Sequence, residues 1–412
     1  MEMDVKKFVS VQKMIDFLGK GANISKVFFR LGLCVRGRFE KGVLMKQGDT
    51  KTRDMFVGTF DLPPHFLNVA RRFVIFGADF NECERVLSDI RSMDGWFVHW
   101  SESGVRFEEN AIKAFKQGNL LTAQALYFQS FFSYRLAGFP LADDTSQRKE
   151  VYKNMMEAFR KAVGLGSIPI EFIEIPFEGN SFPCYLSRPV NRQGPIPVVV
   201  YLPGSDGWKE DQFFVAVHSL AERGIACLVA DGPGQGECVG LRQMYARPDY
   251  EVVVSAIVND LEHRPGIDMK RVALIGSSVG GYYAPRAAAF DRRIKACVCY
   301  SAIFDVVDGV FDPYPAIRSR LKEIIGAKTI EEAREKFLPF TLKHVVQEIK
   351  CPCLILHGGK DIIVPVSEAR RLFDALRAPK EIKIWENGSH NLLNYYIESR
   401  SFMFDWVMHQ LR

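Results

Sequence analysis

The chain has 412 residues, 47% hydrophobic and 25% charged, with a formal net charge of +5. These values are near globular averages and allow two structural units around a large core; without a long Lys/Arg run, the charge makes no case for nucleic acid, though it suits an anionic substrate. The start Met1-Glu2-Met3-Asp4-Val5-Lys6-Lys7 lacks the apolar core of a signal peptide, and no apolar run reaches membrane-spanning length. A cytoplasmic setting, with neither membrane nor nucleic-acid partner, is the expectation.

Up to residue 165 the pattern is helical. Amphipathic stretches run over 110–117, 120–136 and 146–163, with Gly118-Asn119 and Gly138-Phe139-Pro140 as breaks. Residues 1–165 are therefore read as a helical N-terminal cap domain. From residue 166 to 412, strand signals at 170–177, 182–186, 198–202, 227–230, 272–275, 296–300, 353–357 and 382–385 alternate with helical ones. That alternation predicts an α/β catalytic domain with a mostly parallel eight-stranded sheet. A helical insertion at 301–348, between the sixth and seventh strands, is expected to hang over the substrate pocket as a lid.

The motif Gly276-Ser277-Ser278-Val279-Gly280 follows the apolar run Val272-Ala273-Leu274-Ile275 and precedes a helix. A serine on so tight a strand-to-helix turn needs small neighbours two residues before and after it, and it is thereby presented as a nucleophile. Ser278 then needs a base and an orienting acid, in the chain order Ser, Asp or Glu, His. Asp361 stands on the loop after the strand ending at His357, and His390 on the Gly-containing loop after Trp385. Singly, each of the three reads equally well as a cap or a surface residue. All three in order, each on a loop after a strand, are hard to explain by capping. Of the other histidines, His218, His263, His344 and His409 are placed in helices, His65 and His99 in the N-terminal region and His357 at a strand end, all read as structural.

Two further loops belong with these. The strand ending at Leu202 runs into Pro203-Gly204-Ser205-Asp206-Gly207-Trp208-Lys209-Glu210, where one oxyanion-hole N–H is expected. Ser205 is assigned this role, with Gly204 and Asp206 equally near, and Val279 supplies the second donor. Asp231-Gly232-Pro233-Gly234-Gln235-Gly236-Glu237 reads as a structural turn. It lacks the Gly-Lys-Ser/Thr of a phosphate loop, and its proline removes an N–H donor. Nine cysteines are present; those at 227, 297, 299 and 353 lie in buried-strand patterns, and none has zinc-site spacing. Neither metal nor cofactor is expected.

The elements Leu202 to Glu210, Asp231 to Glu237, Gly276 to Gly281, Ile330-Glu331-Glu332-Ala333-Arg334 and Cys351 to Gly358, with His390-Asn391-Leu392, resemble the FrsA-like α/β-hydrolases. That group includes the dihydroxypseudooxynicotine hydrolase and the polyketide-shortening hydrolases of fungal melanin pathways. The resemblance covers residues 100 to 412. It implies hydrolysis of a C–C bond in a 1,3-dicarbonyl, aromatic ketone or polyketide-like substrate. It also implies a homodimer through the N-terminal helices and a substrate-anchoring acid at Asp206, where relatives commonly carry Glu. Trp208 and Tyr282 are further substrate-contact candidates, with Tyr283, Phe304 and Phe311 as other aromatic pocket residues. The same triad would serve a carboxylesterase or acyltransferase, and an FrsA-type binding or regulatory protein would keep the fold with little catalysis.

Overall fold

The computed structural model describes residues 64–139, 146–190 and 192–412, all within one compact unit, Asp54–Arg412. Residues 1–63 of the expected cap, its Met1–Lys7 start included, and Pro140 of the second break lie outside the described residues. Among the described residues five α-helices come first: α1 (Pro64–Phe76), α2 (Phe80–Asp89), α3 (Met93–Lys116), α4 (Leu120–Gly138) and α5 (Ser146–Gly164). The sequence pattern places the start of α3 at Asn110, but the helix begins at Met93, where Ser92 caps it by accepting from the Gly95 N–H at 3.1 Å. Its internal glycine hides it from pattern reading and has a packing reason. A Cβ on Gly104 would stand 2.6 Å from the Tyr134 ring, so glycine lets α3 and α4 approach closely.

Eight strands follow: β1 (Ile170–Phe177), β2 (Asn180–Ser187), β3 (Ile196–Leu202), β4 (Ala226–Ala230), β5 (Ile267–Ser277), β6 (Ile294–Tyr300), β7 (Cys353–Gly358) and β8 (Lys380–Trp385). They form one sheet in the order β1-β2-β4-β3-β5-β6-β7-β8. β2 is antiparallel to β1 and β4, and every other neighbouring pair is parallel. The mostly parallel α/β sheet expected from the alternating pattern is thus present. Central β3 is buried along its whole length, as a strand covered on both faces should be. Pro197 is tolerated there because the β3–β5 register shifts between Ile196 and Val198.

Side-chain alternation divides the core between the two faces. Val198, Val200 and Leu202 join the cluster built with α10 (Gly280–Phe290), whereas Val199 and Tyr201 join one containing Phe73, Phe131, Phe132 and Phe159 of α1, α4 and α5. The N-terminal helices therefore share a hydrophobic core with the sheet. Phe213 and Phe214 extend that core. They lie in a π turn between α6 (Lys209–Gln212) and α7 (His218–Glu222), and the Phe214 and Phe132 ring centroids are 4.7 Å apart. Thus α4 packs directly on the segment that continues the loop after β3.

The remaining helices are α8 (Gly236–Leu241), α9 (Glu251–Glu262), α11 (Arg318–Ile324), α12 (Ile330–Phe337), α13 (Val366–Ala375) and α14 (Tyr396–Gln410). α11 and α12 lie between β6 and β7. His344, expected in a helix, lies in a turn. The Thr341 bridge to Asp305 and the Leu342 N–H bond to the Phe304 carbonyl at 2.9 Å interrupt the helical pattern just before it, and the chain then turns, with the Val345 and Val346 N–H groups both donating to the Leu342 carbonyl at 3.0 Å. Among the described residues no helix is long and apolar enough to cross a membrane.

Candidate active site

Ser278 sits in the turn between β5 and α10 with φ of +55°, a left-handed conformation that costs a non-glycine residue energy and is held only where its surroundings dictate it. The glycines on either side explain how the turn closes. A Cβ at Gly276 would lie 1.9 Å from the Gly280 carbonyl oxygen, and one at Gly280 would lie 2.0 Å from that of Leu202. The Ser278 N–H donates to the Tyr300 carbonyl at 2.9 Å, tying the turn to β6.

Asp361 and His390 come together from the ends of β7 and β8. His390 Nδ1 lies 2.8 Å from Asp361 Oδ2. A carboxylate only accepts, so Nδ1 carries the proton and Nε2 is left with the lone pair that a general base needs. Asp361 Oδ1 accepts from the Ile363 and Val364 N–H groups, each at 2.9 Å. Burial would raise the Asp361 pKa, but the His390 charge and hydrogen bond outweigh it, and the carboxyl is held below its usual range. The His390 loop is also anchored behind the ring. Asn391 and Leu392 are both left-handed, the Asn391 N–H donates to Ser301 Oγ at 2.9 Å, and the Tyr300 hydroxyl donates to the Asn391 carbonyl at 2.7 Å. The Asp361–His390 hydrogen bond is present, and none joins Ser278 Oγ to His390.

The loop after β3 passes over the serine. A Cβ on Gly204 would stand 3.0 Å from Ser278 Cβ and 3.5 Å from its Oγ. The Val279 N–H makes no internal hydrogen bond among the described residues, and the same holds for Gly204, Ser205 and Asp206. Free backbone donors therefore flank Ser278 on two sides. The Asp206 carboxylate is partly exposed, with Oδ1 3.2 Å from Arg320 Nε. Trp208 and Tyr282 are buried: Trp208 packs on Tyr152 at 4.3 Å between centroids, and the Tyr282 hydroxyl donates to the Pro248 carbonyl at 2.9 Å. Tyr283 stacks on Tyr250 at 3.5 Å, and Phe304 and Phe311 are core residues.

Sequence reading missed two features. Asp231 to Glu237, read as a turn alone, is fastened to the loop after β3. Asp231 Oδ1 accepts from the Lys209 N–H at 2.8 Å, and Lys209 Nζ reaches Asp231, Glu237 and Glu210 at 3.2, 2.8 and 3.1 Å. Burial pushes Asp231 up to about 7 against the pull of Lys209. The lysine itself is held well above its usual value: its three carboxylates outweigh burial, which alone would lower it. The recurrence of Lys-Glu in one motif and Asp and Glu in the other was the available signal. The second feature is His357, whose Nε2 donates to the Val364 carbonyl at 2.9 Å and lies 3.6 Å from Asp361 Oδ2. Among the described residues no three His, Cys, Asp or Glu side chains gather as a metal would require.

Set against known proteins, residues 67–370 match the family described as esterase FrsA-like. The chain belongs to that family. This FrsA-like chain is 30% identical over 314 residues to the 2,6-dihydropseudooxynicotine hydrolase of Paenarthrobacter nicotinovorans, spanning 76% of this chain and 83% of that one. It is 26% identical over 351 residues to the hydrolyase poxO of Penicillium oxalicum, spanning 73% and 83%. The crystal structure of the 2,6-dihydroxy-pseudo-oxynicotine hydrolase superposes with a TM-score of 0.75 at 28% identity, covering 82% of this chain and 95% of that one. The fold is the α/β-hydrolase fold, and the protein is an enzyme of that class.

Proposed function

We propose that the protein is a serine hydrolase working through an acyl-serine, with Ser278 as nucleophile, His390 as general base and Asp361 as its orienter. The observation that carries this reading is the 2.8 Å Asp361–His390 contact on the loops after β7 and β8, in one sheet with the left-handed Ser278 turn. Ser278 Oγ would attack a substrate carbonyl while His390 Nε2 takes its proton. The N–H groups of Val279 and Ser205 would receive the oxyanion. Collapse breaks the bond to the leaving group, which takes the electron pair and then the proton from His390. Water, deprotonated by His390 in turn, releases the acid and restores the serine.

The preferred leaving group is a carbon: the enolate of a second carbonyl in a 1,3-dicarbonyl, aromatic ketone or polyketide-like substrate. This choice rests on the resemblance in the sequence and on the similarity to the 2,6-dihydropseudooxynicotine hydrolase. Asp206, partly exposed beside the loop, would anchor that substrate. Ester hydrolysis is the second reading, favoured by the family's description as esterase. We assign the described helices of the N-terminal region, α1 to α5, as a cap over the site. The deciding experiment is intact-protein mass spectrometry after a serine-directed fluorophosphonate, on native protein, Ser278→Ala and His390→Ala, followed by turnover of β-diketone and aryl-ester panels. Labelling lost in Ser278→Ala, with diketones turned over faster than esters, supports the full reading. Faster ester turnover selects the second, and unlabelled folded protein removes the serine mechanism.

A further inference from the structure

The four carbonyls from Pro203 to Asp206 are each held by a different group. Pro203 O accepts from Gln235 Nε2 and Gly204 O from the Gly207 N–H at 3.1 Å. Ser205 O accepts from Arg320 Nε at 3.0 Å and also from its Nη2; Asp206 O accepts from Arg135 Nη2 at 2.6 Å. In contrast, the N–H groups of Gly204, Ser205 and Asp206 make no internal hydrogen bond among the described residues. A trans peptide points its C=O and the following N–H in opposite directions. Holding the carbonyls of Pro203, Gly204 and Ser205 therefore fixes where the N–H groups of Gly204, Ser205 and Asp206 point. Consecutive free N–H groups in a turn are an anion-binding arrangement, and Gly204 brings this one against Ser278.

The three side chains that hold the loop are themselves held. Gln235 is fully buried and accepts from the Tyr250 hydroxyl at 2.6 Å. Arg135, on α4, is 2% exposed and forks onto Asp211, with Nε at 3.2 and 3.3 Å from the two oxygens and Nη2 at 3.1 Å. Arg320, on α11 of the insertion, is paired with Glu323, which also takes Arg148 of α5. Side chains fixed in this way can hold a loop to the tolerance that an oxyanion hole demands.

We infer that Arg135, Gln235 and Arg320 are positioning residues for the oxyanion hole: Gln235 and Arg320 hold the carbonyls of Pro203 and Ser205, and Arg135, through the Asp206 carbonyl, sets the Gly207 N–H that closes on Gly204 O, so that the N–H groups of Gly204 to Asp206 face the oxygen that develops on attack by Ser278. This rests on the serine-hydrolase reading above. It gives the N-terminal helices and the insertion a part in the chemical step, through α4 and α11, as well as in covering substrate.

The test compares wild type, Arg320→Met, Arg320→Lys and Gln235→Met, using 4-nitrophenyl acetate as substrate and a trifluoromethyl ketone, which forms a tetrahedral oxyanion adduct with an active serine. Arg320→Met is expected to lower kcat about 10–100-fold with KM within about threefold, and to weaken ketone inhibition by the same factor as kcat. Gln235→Met should act in the same sense through Pro203. Arg320→Lys, which keeps a donor for Ser205 O, should recover most of the loss. Should Gln235→Met fail to fold, Arg320→Met carries the test, since that side chain is 18% exposed. Unchanged kcat in folded Arg320→Met, a loss confined to KM, or a kcat loss without weaker ketone binding would overturn the inference. Wild-type protein left unlabelled by a fluorophosphonate would instead remove the serine nucleophile, and this inference with it.

Discussion

Replacing Gly204 by alanine tests the loop after β3 with a single methyl group. The added Cβ would lie 3.0 Å from Ser278 Cβ, 3.2 Å from the Ser277 carbonyl oxygen and 3.5 Å from Ser278 Oγ. Carbon atoms in good contact sit about 3.5–4.0 Å apart, so loop or serine must retreat by about 0.5–1 Å. Oxyanion donors act over about 2.7–3.1 Å, and a retreat of that size takes one out of range, costing about 100 to 1,000-fold in kcat. Overpacking at one such contact destabilises a fold by about 1–3 kcal/mol, so most of the protein should remain folded. Stopped-flow hydrolysis of an aryl ester separates acylation from deacylation, and urea unfolding monitors the fold. Both chemical steps pass through an oxyanion and both should slow. A folded Gly204→Ala variant with kcat within about threefold of wild type would refute the placement of this loop in the oxyanion hole.

Asp361→Asn should lower kcat by about 10⁴-fold, because an amide facing His390 Nδ1 favours the wrong tautomer, and should lower the thermal midpoint at neutral pH, because the stability that the depressed carboxylate contributes is lost; a loss in kcat below about tenfold in steady-state assays would count against the triad. Lys209→Met leaves the buried Asp231 and Glu210 carboxylates without their cation, while Glu237 keeps Arg242, and should cost about 3–5 kcal/mol in urea unfolding. Adding Asp231→Asn should return part of that, and strictly additive losses would argue against the cluster. Two buried groups, both depressed in the folded state, lower stability in the same direction as pH falls, each in its own window. His357 is held below its usual pKa of 6.5 by burial, so the unfolded chain takes its proton first. Stability should therefore fall as pH drops from about 6.5 towards the folded-state value, by at most about 1.4 kcal/mol per pH unit, and His357→Gln should flatten that limb of a pH–stability curve. Asp361, also depressed, contributes stability above its unfolded value of 3.8 and loses it as pH falls through its lower folded value; in unfolding midpoints below pH 4, Asp361→Asn should remove this second decline.

Much of the site was legible because its chemistry is local. The Ser278 turn needs glycine two residues either side, and the Cβ positions at Gly276 and Gly280 show the collisions that forbid anything larger. Strands announced themselves by continuous apolar runs, since a sheet covered on both faces needs no polar side; β3 and β7 are buried throughout. Where local signals conflicted, reading failed. α3 hid behind its glycines, and His344 sits in a turn just after Thr341, whose pairing with Asp305 interrupts a stretch of helical composition.

The sequence by itself determined which residues could act and in what order along the chain, because turn geometry and strand periodicity depend on neighbours a few positions away. Only the tertiary structure decided how those residues are held. Arg135, Gln235 and Arg320 lie 71, 32 and 115 positions from the carbonyls they bind, and no periodicity links positions so far apart. Their pairing is set by the packing of α4 and α11 around the loop after β3, where a buried guanidinium must find acceptors and a buried carbonyl must find a donor.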